Sequence, residues 1–370
     1  MLQSHAQATA VTSSHLQMKR RLAIALTLIL ASLAASLRTQ ALSFDLDSIA
    51  AWGKFPRFCV GVYRWGDRFF NTYDSAYVEG TGYKFNIKAK SELWTDSYIF
   101  SLPDSYRMRM DSELNISGGF YITYLAVSLG YDFNIGKMFN VGNTSRHKLN
   151  FKINCALLSA EMYWVTNDVG TNLLSYGTKG HEIKCRIPFT GINTSIYGMD
   201  IYYFINNKRY SRAAAFNYGK IQKRSQGSWF VGFAYWTQDF DFSFGSLPQD
   251  ILDGLPQEWA DNGYAFYMNN NNYAVRAGYA YNWVFHKHWT AAISESPVIG
   301  FKHGRVNHGP RRITPAIYNR AQASVVWNNR AWFAGIVGSV DNGLFYDKKQ
   351  MLVNSVFSAE VSVGYRFNLW

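Results

Sequence analysis

The chain has 370 residues, a formal charge of +12, 17% aromatic side chains and a mean hydropathy of −0.17. Beyond the N-terminal region no stretch reaches the roughly 18 uninterrupted apolar residues of a helical span, which excludes a helical membrane protein. The positive charge is spread rather than clustered, against a nucleic-acid binder, and three cysteines (Cys59, Cys155, Cys185) are an odd number that supplies no disulfide framework.

In chain order, Lys19-Arg20-Arg21 precedes an apolar run from Leu22 to Leu33, and small residues follow. That is the anatomy of a secretory signal peptide, so residues 1–41 read as signal peptide and leader. Cleavage near Ala34-Ala35-Ser36 and near Thr39-Gln40-Ala41 both fit. A membrane anchor is the rival, but the run falls short of the ~20 residues a span needs. Lys19, Arg20, Arg21 and Arg38 belong to this leader, and subtracting these four from +12 leaves +8 on the mature chain.

Residues 42–77 lack long alternation. Ile49, Trp52, Phe55, Phe58 and Cys59 recur near a helical period interrupted at Pro56, and Val62, Trp65, Phe69 and Phe70 do so more cleanly. The expectation is a periplasmic, partly helical segment; an interfacial membrane helix, with Arg57, Arg64 and Arg68 toward headgroups, is the alternative.

From residue 78 to the C-terminus the period is two. Tyr83, Phe85, Ile87 and Ala89 interleave with Lys84, Asn86, Lys88 and Lys90. Tyr106, Met108, Met110, Leu114 and Ile116 form a second set, and the odd positions 125–135 a third. Leu149, Phe151 and Ile153 alternate with Asn150, Lys152 and Asn154, in a strand that continues to about Val165. Further strands are expected at 192–205, 229–238, 273–285, 289–301, 315–327 and 331–340. The last strand is the clearest: Phe357, Ala359, Val361, Val363, Tyr365 and Phe367 share one face, backed by Ser358, Glu360, Ser362, Gly364, Arg366 and Asn368. Its length exceeds the ~9–11 residues a tilted membrane strand requires.

Alternation also explains high aromatic content at low mean hydropathy, because a barrel averages a lipid face with a lumen face and girdles itself with aromatic rings. The fold class is therefore all-β, an antiparallel transmembrane barrel of the outer membrane, with a short N-terminal helical segment. Eleven strands are directly legible, and the preference for even numbers points to twelve, with ten or fourteen as alternatives. Residues 91–100, 183–189 or 213–218 are candidates for the missing strand. Turn signals stand at Ser117-Gly118-Gly119, His286-Lys287, Asn328-Asn329-Arg330 and Asp341-Asn342-Gly343. With a periplasmic C-terminus, 239–272, 302–314 and 341–351 become external loops, and 206–227 is an unexpectedly long periplasmic connection.

That connection carries a resemblance. The run Asp200-Ile-Tyr-Tyr-Phe-Ile-Asn-Asn-Lys-Arg-Tyr-Ser-Arg-Ala-Ala-Ala-Phe216, then Gln222-Lys-Arg-Ser-Gln-Gly-Ser-Trp229, resembles the uncharacterised Bacteroidota family catalogued as domain of unknown function 4421. Asp74-Ser-Ala-Tyr-Val78, which would open the domain, is similar too. The resemblance implies a secreted outer-membrane barrel from about Asp74 to the C-terminus, and no assigned activity.

Candidate functional residues are few. Lys208, Arg209, Arg212, Lys223 and Arg224 form a basic segment that would suit an anionic group, a phosphate or carboxylate; the plainer reading is a solvated turn or a lumen filler. Asp239, Asp241, Asp250, Asp253, Glu258 and Asp261 surround Phe242, Phe244 and Trp259 in the longest external loop. His286, His288, His303 and His308 fall at opposite ends of the barrel, so one metal site built from all four is not expected, and no cofactor is. No Gly-x-Ser-x-Gly or His-Glu-x-x-His motif is present, and the chain is read as a non-enzyme. The expected role is a passive pore or a binder of a small hydrophobic or anionic ligand; the alternatives are a structural or assembly protein and, third, a barrel lipid hydrolase. Expected partners are the lipid bilayer and, through the C-terminal strand, the barrel-assembly machinery.

Overall fold

In the computed structural model the described residues are 51 and 53–368, apart from 140–144, 256, 262, 308 and 348–349. The leader, Lys348, Lys349 and Trp370 lie outside them. The first element is α1 (Lys54–Asn71). Pro56 sits in its first turn, where the missing N–H would have no partner in any case.

Fifteen strands follow among the described residues: β1 (Val78–Gly80), β2 (Phe85–Ser101), β3 (Tyr106–Ser112), β4 (Asn115–Tyr124), β5 (Val127–Asn134), β6 (Ser145–Asn154), β7 (Leu158–Thr178), β8 (Ile183–Phe204), β9 (Lys220–Gln222), β10 (Gln226–Ser243), β11 (Ala265–His286), β12 (Trp289–Val306), β13 (Arg312–Asn328), β14 (Trp332–Asp347) and β15 (Gln350–Phe367). β1 and β9 form a separate short pair, and all the others belong to one sheet that closes where β15 pairs with β2 over its whole length.

The circumference changes with height. β3 and β4 follow one another down the same neighbour, β2, pairing with residues 97–101 and 85–94 in turn. They are one wall strand interrupted at Glu113-Leu114. The hairpin β5–β6 fills the space between β4 and the first half of β7, while the second half of β7 pairs directly with β3. Counted at the C-terminal end the ring has twelve strands (β2, β4–β8, β10–β15), and at the other end ten (β2, β3, β7, β8, β10–β15). The twelve-stranded expectation holds at one end. The strand missing from the direct reading comes from dividing 149–165 at a turn into β6 and β7.

The outer face is an apolar belt. Outward Val275, Ile293, Ile299, Ile336, Val361 and Val363 are all exposed, Ile299 by 65% and Val363 by 51%. Ring pairs edge the belt: Phe85–Tyr124 and Trp332–Tyr365, both at 4.7 Å, near the C-terminal end, and Tyr235–Tyr273 and Tyr273–Phe301, at 5.1 and 5.4 Å, near the other. An apolar exterior between two aromatic girdles is the surface a bilayer solvates. Connections on the C-terminal side are short apart from 205–225, which marks that side as periplasmic.

Several loop expectations are corrected. Ser117-Gly118-Gly119 lies inside β4, and Asp341-Asn342-Gly343 inside β14 paired to β15 and β13. Of the candidates for the missing strand, 91–100 extends β2, 183–189 extends β8 and 213–218 forms no strand, and the external loop expected at 239–272 shrinks to 244–264. Strands here outrun the bilayer, so their outer ends carry polar residues on both faces and lose the alternation by which strands are recognised.

Candidate functional site

The connection from β8 to β10 folds against the inner wall as a plug. Ser211 caps a five-residue helix, α2 (Arg212–Phe216), its side chain accepting from the Ala214 N–H at 3.3 Å. Ala213, Ala214 and Ala215 are buried, and their small side chains are what let a helix fit beside the strands. Tyr218 takes a positive φ of 61°, and the Gly219 N–H returns to the Ala213 carbonyl at 3.0 Å to end the turn.

Side chains from four directions hold the plug. Gln222 donates through Nε2 to the carbonyls of Arg209 (2.7 Å), Arg224 (3.0 Å) and Tyr77 (3.2 Å). Its Oε1 accepts from the Ser211 N–H and from Asn282 of β11, both at 3.0 Å. Tyr218 Oη meets Ser362 Oγ of β15 at 2.8 Å, and its ring stacks on Phe333 at 4.9 Å. Arg366, 1% exposed, donates to the carbonyls of Tyr218 and Arg330 and to Asn328 Oδ1. Asn217 reaches Asn154 of β6 at 2.6 Å. The residues that carried the family resemblance are thus largely the fastenings of this plug. Asp74 joins them: its N–H donates to the Lys208 carbonyl at 2.7 Å.

The five basic residues proposed from sequence do not converge. Lys208, Arg209, Lys223 and Arg224 are exposed on the periplasmic side of the plug. Arg209 and Arg224 lie over the Tyr77 ring at 5.0 and 5.6 Å, Arg209 stands 3.7 Å from Asp74, and Lys223 donates to the Ser75 carbonyl at 3.0 Å. Arg212 alone faces the lumen, donating to Gln322 at 2.8 Å between the rings of Tyr202 and Phe216.

The opposite end of the lumen is closed by apolar packing. Inward Tyr98, Phe100, Met108, Met110, Phe240, Phe242, Phe266, Met268, Phe345 and Leu352 meet the loop 244–264, whose short helices α3 (Gln249–Leu252) and α4 (Gln257–Ala260) contribute Ile251, Leu252 and Trp259. Phe100 is edge-on to Phe242, Phe244, Trp259 and Phe266 at 5.1–5.9 Å, and Trp259 stacks on Phe244 at 5.2 Å. The acidic loop is therefore a cap: its aromatics turn in, while Asp250 takes the Tyr176 hydroxyl at 2.7 Å and Asp253 and Asp261 accept from Gln249 and Gln257.

Between plug and cap lies a cavity of about 320 Å³ lined by eight basic and six acidic side chains. Three ionic networks cross it. Lys90 reaches Glu92 (2.9 Å), Asp132 (3.0 Å) and Glu360 (3.2 Å), and Glu360 also takes Lys88 at 3.1 Å. Asp200 of β8 accepts from Arg276 at 2.6 Å and faces Arg320 at 3.6 Å, with Arg320 held by Asp341 at 2.5 Å. Lys152 pairs with Glu161 at 3.2 Å, and Asn150 donates to the same carboxylate at 2.8 Å. Glycine makes room for the first network: a Cβ at Gly130 would strike the Tyr121 ring, whose hydroxyl donates to Asp132 at 2.9 Å. Buried atoms without a partner also line the space, among them Arg146 Nε and Nη1, Asn167 Oδ1 and Gln238 Oε1.

A closed antiparallel sheet, apolar outside and ionic inside, with aromatic girdles and backbone groups paired around the ring, is an outer-membrane β-barrel. The profile of the family described as "Domain of unknown function (DUF4421)" matches residues 72–367, and the chain belongs to that family. No curated protein matches it. Among solved structures it is similar to the outer-membrane protease OmpT of Escherichia coli, at 8% identity over 77% of this chain and 97% of that one, with a TM-score of 0.36. It is likewise similar to the translocator domain of the autotransporter NalP from Neisseria meningitidis (11%, 77% and 89%, TM-score 0.35) and to the toluene transporter TodX of Pseudomonas putida (8%, 77% and 90%, TM-score 0.28). At such values the likeness says nothing of activity.

Proposed function

We propose that the protein is a binding barrel: it holds a small polar solute in the chamber between plug and cap, and it is neither an open passive pore nor an enzyme. The observation that supports this is the chamber itself, about 320 Å³ of space lined by ionisable groups and by buried polar atoms without partners. Wall atoms left unpaired there, such as Gln238 Oε1 and the Arg146 nitrogens, are available to bond a polar solute. Exchange with the periplasm then requires the plug to loosen, and its hydrogen-bonded fastening suits it to do so. Insertion by the barrel-assembly machinery through β15, and a periplasmic place for residues 42–77, belong to the same proposal. Planar-bilayer recording tests it: the wild-type barrel is expected to show no steady open state, and a continuous ohmic conductance would overturn the reading.

A further inference from the structure

We propose that the inner face of β6 is an anion site, with Arg146 and Lys148 as the charged donors for a compact oxyanion, the phosphate or carboxylate of a small solute. The inference rests on the reading of the lumen as a binding chamber and names the class of ligand it takes.

The inward residues of β6 read Arg146, Lys148, Asn150, Lys152 and Asn154, a face with three cations and no acid. Five of the chamber's basic residues (Lys88, Lys90, Lys152, Arg276, Arg320) have a carboxylate within 4.0 Å, and Arg212 is engaged by Gln322. Arg146 and Lys148 have no carboxylate within that distance among the described residues. Glu92 feels both charges, Asp96 that of Arg146 and Glu161 that of Lys148, from beyond salt-bridge range; Glu92 is already taken by Lys90, Asp96 accepts the Tyr98 hydroxyl at 3.1 Å, and Glu161 is paired with Lys152 at 3.2 Å.

Arg146 is also set in place. Its guanidinium lies over the Trp94 ring at 4.4 Å, and Trp94 is fixed by its Nε1 donating to Ser117 Oγ at 3.0 Å. Two of its nitrogens, Nε and Nη1, are buried without a hydrogen-bond partner. A guanidinium held flat with unspent N–H groups presents the fork that matches two oxygens of a carboxylate or phosphate, and a neighbouring ammonium adds a point charge. Asn167, opposite Arg146 in the β6–β7 register, carries an unpartnered side-chain oxygen, and its amide turned about offers a further donor. The excess of charge has the same sign: eight bases face six lining acids, with Asp132 bonded to Lys90 as a seventh.

The test uses the folded full-length barrel in detergent, with inorganic phosphate and succinate as probes in titration calorimetry. Each is titrated into wild type, R146Q/K148Q, and R209Q/R224Q, whose changes lie on the periplasmic side of the plug. All are repeated in a Q222A background, which loosens the plug and removes closure as a reason for silence. Binding of one probe that weakens at least tenfold in R146Q/K148Q, with R209Q/R224Q like wild type, is the expected result. Binding of neither probe in the loosened background, or equal affinity in R146Q/K148Q, would overturn the anion site. The chamber reading fails separately, by steady conductance of the wild type, whatever the calorimetry shows.

Discussion

The two ends of one lumen are closed differently, one chiefly by apolar packing and the other by packing laced with hydrogen bonds. At the external end the inward positions of β2, β3, β10, β11, β14 and β15 are aromatic or aliphatic and pack dry against Ile251, Leu252 and Trp259. At the periplasmic end Asn282, Asn328, Ser362 and Arg366 spend polar atoms on the backbone and side chains of the plug, while Phe204, Phe230 and Phe333 pack on its Tyr210 and Tyr218. An apolar closure is non-directional and opens only by exposing its whole area to water. A polar closure is a set of individual bonds, each worth little net because water replaces it. On the reading of the lumen as a binding chamber, the cap is expected to stay fixed and the plug to move.

The largest expected effect is in the cap. Phe100→Ala removes a ring packed against four others and should destabilise the barrel by ~3–5 kcal/mol, read as a lower temperature for loss of the compact, heat-modifiable band. In the plug, Arg366→Ala strands two buried carbonyls and should cost about 2–3 kcal/mol. It should also raise the susceptibility of 205–225 to protease added from the periplasmic side, whereas Phe100→Ala should not. Equal protection of the plug in both variants would erase the distinction between the ends. Tyr218→Phe deletes a single bond, to Ser362, and should cost ~1 kcal/mol while keeping the stack on Phe333. A change outside both closures sets the baseline. Glu295 is outward and exposed midway along β12 between Trp289 and Phe301, so Glu295→Leu should stabilise by about 1 kcal/mol, measured by denaturant unfolding in bilayers, with no effect on plug protection.

Much of the wall was legible because a lipid face against a polar lumen leaves a period of two. β15 is the clearest case: Val361 and Val363 face out while Ser362 and Arg366 are buried within. The period does not say which side is apolar. The alternation of Met108 and Met110 is real, but both are fully buried in the cap rather than facing lipid. Where β10 and β11 pass beyond the belt, Asn269 to Asn272 put polar side chains on both faces, and the strand reads as loop. The taper from twelve strands to ten depends on which strand β7 pairs with at each height, and no local pattern encodes that choice. The basic segment of the plug was visible as a charge cluster, yet backbone geometry sends Arg212 inward and the other four outward. Arg146 and Lys148 had a signal: they continue the inward parity of Asn150, Lys152 and Asn154 without an acid among them.

The most direct measurement of the closed chamber is thiol accessibility at Ser358, an inward residue lining it, bonded to Ser339 at 2.8 Å. In a background without Cys59, Cys155 and Cys185, Ser358→Cys should resist a bulky charged thiol reagent from both sides of the outer membrane. Added Gln222→Ala should admit the reagent from the periplasmic side alone. Modification of Ser358→Cys with the plug intact, at the rate of an exposed control cysteine, would show an open lumen and contradict the account.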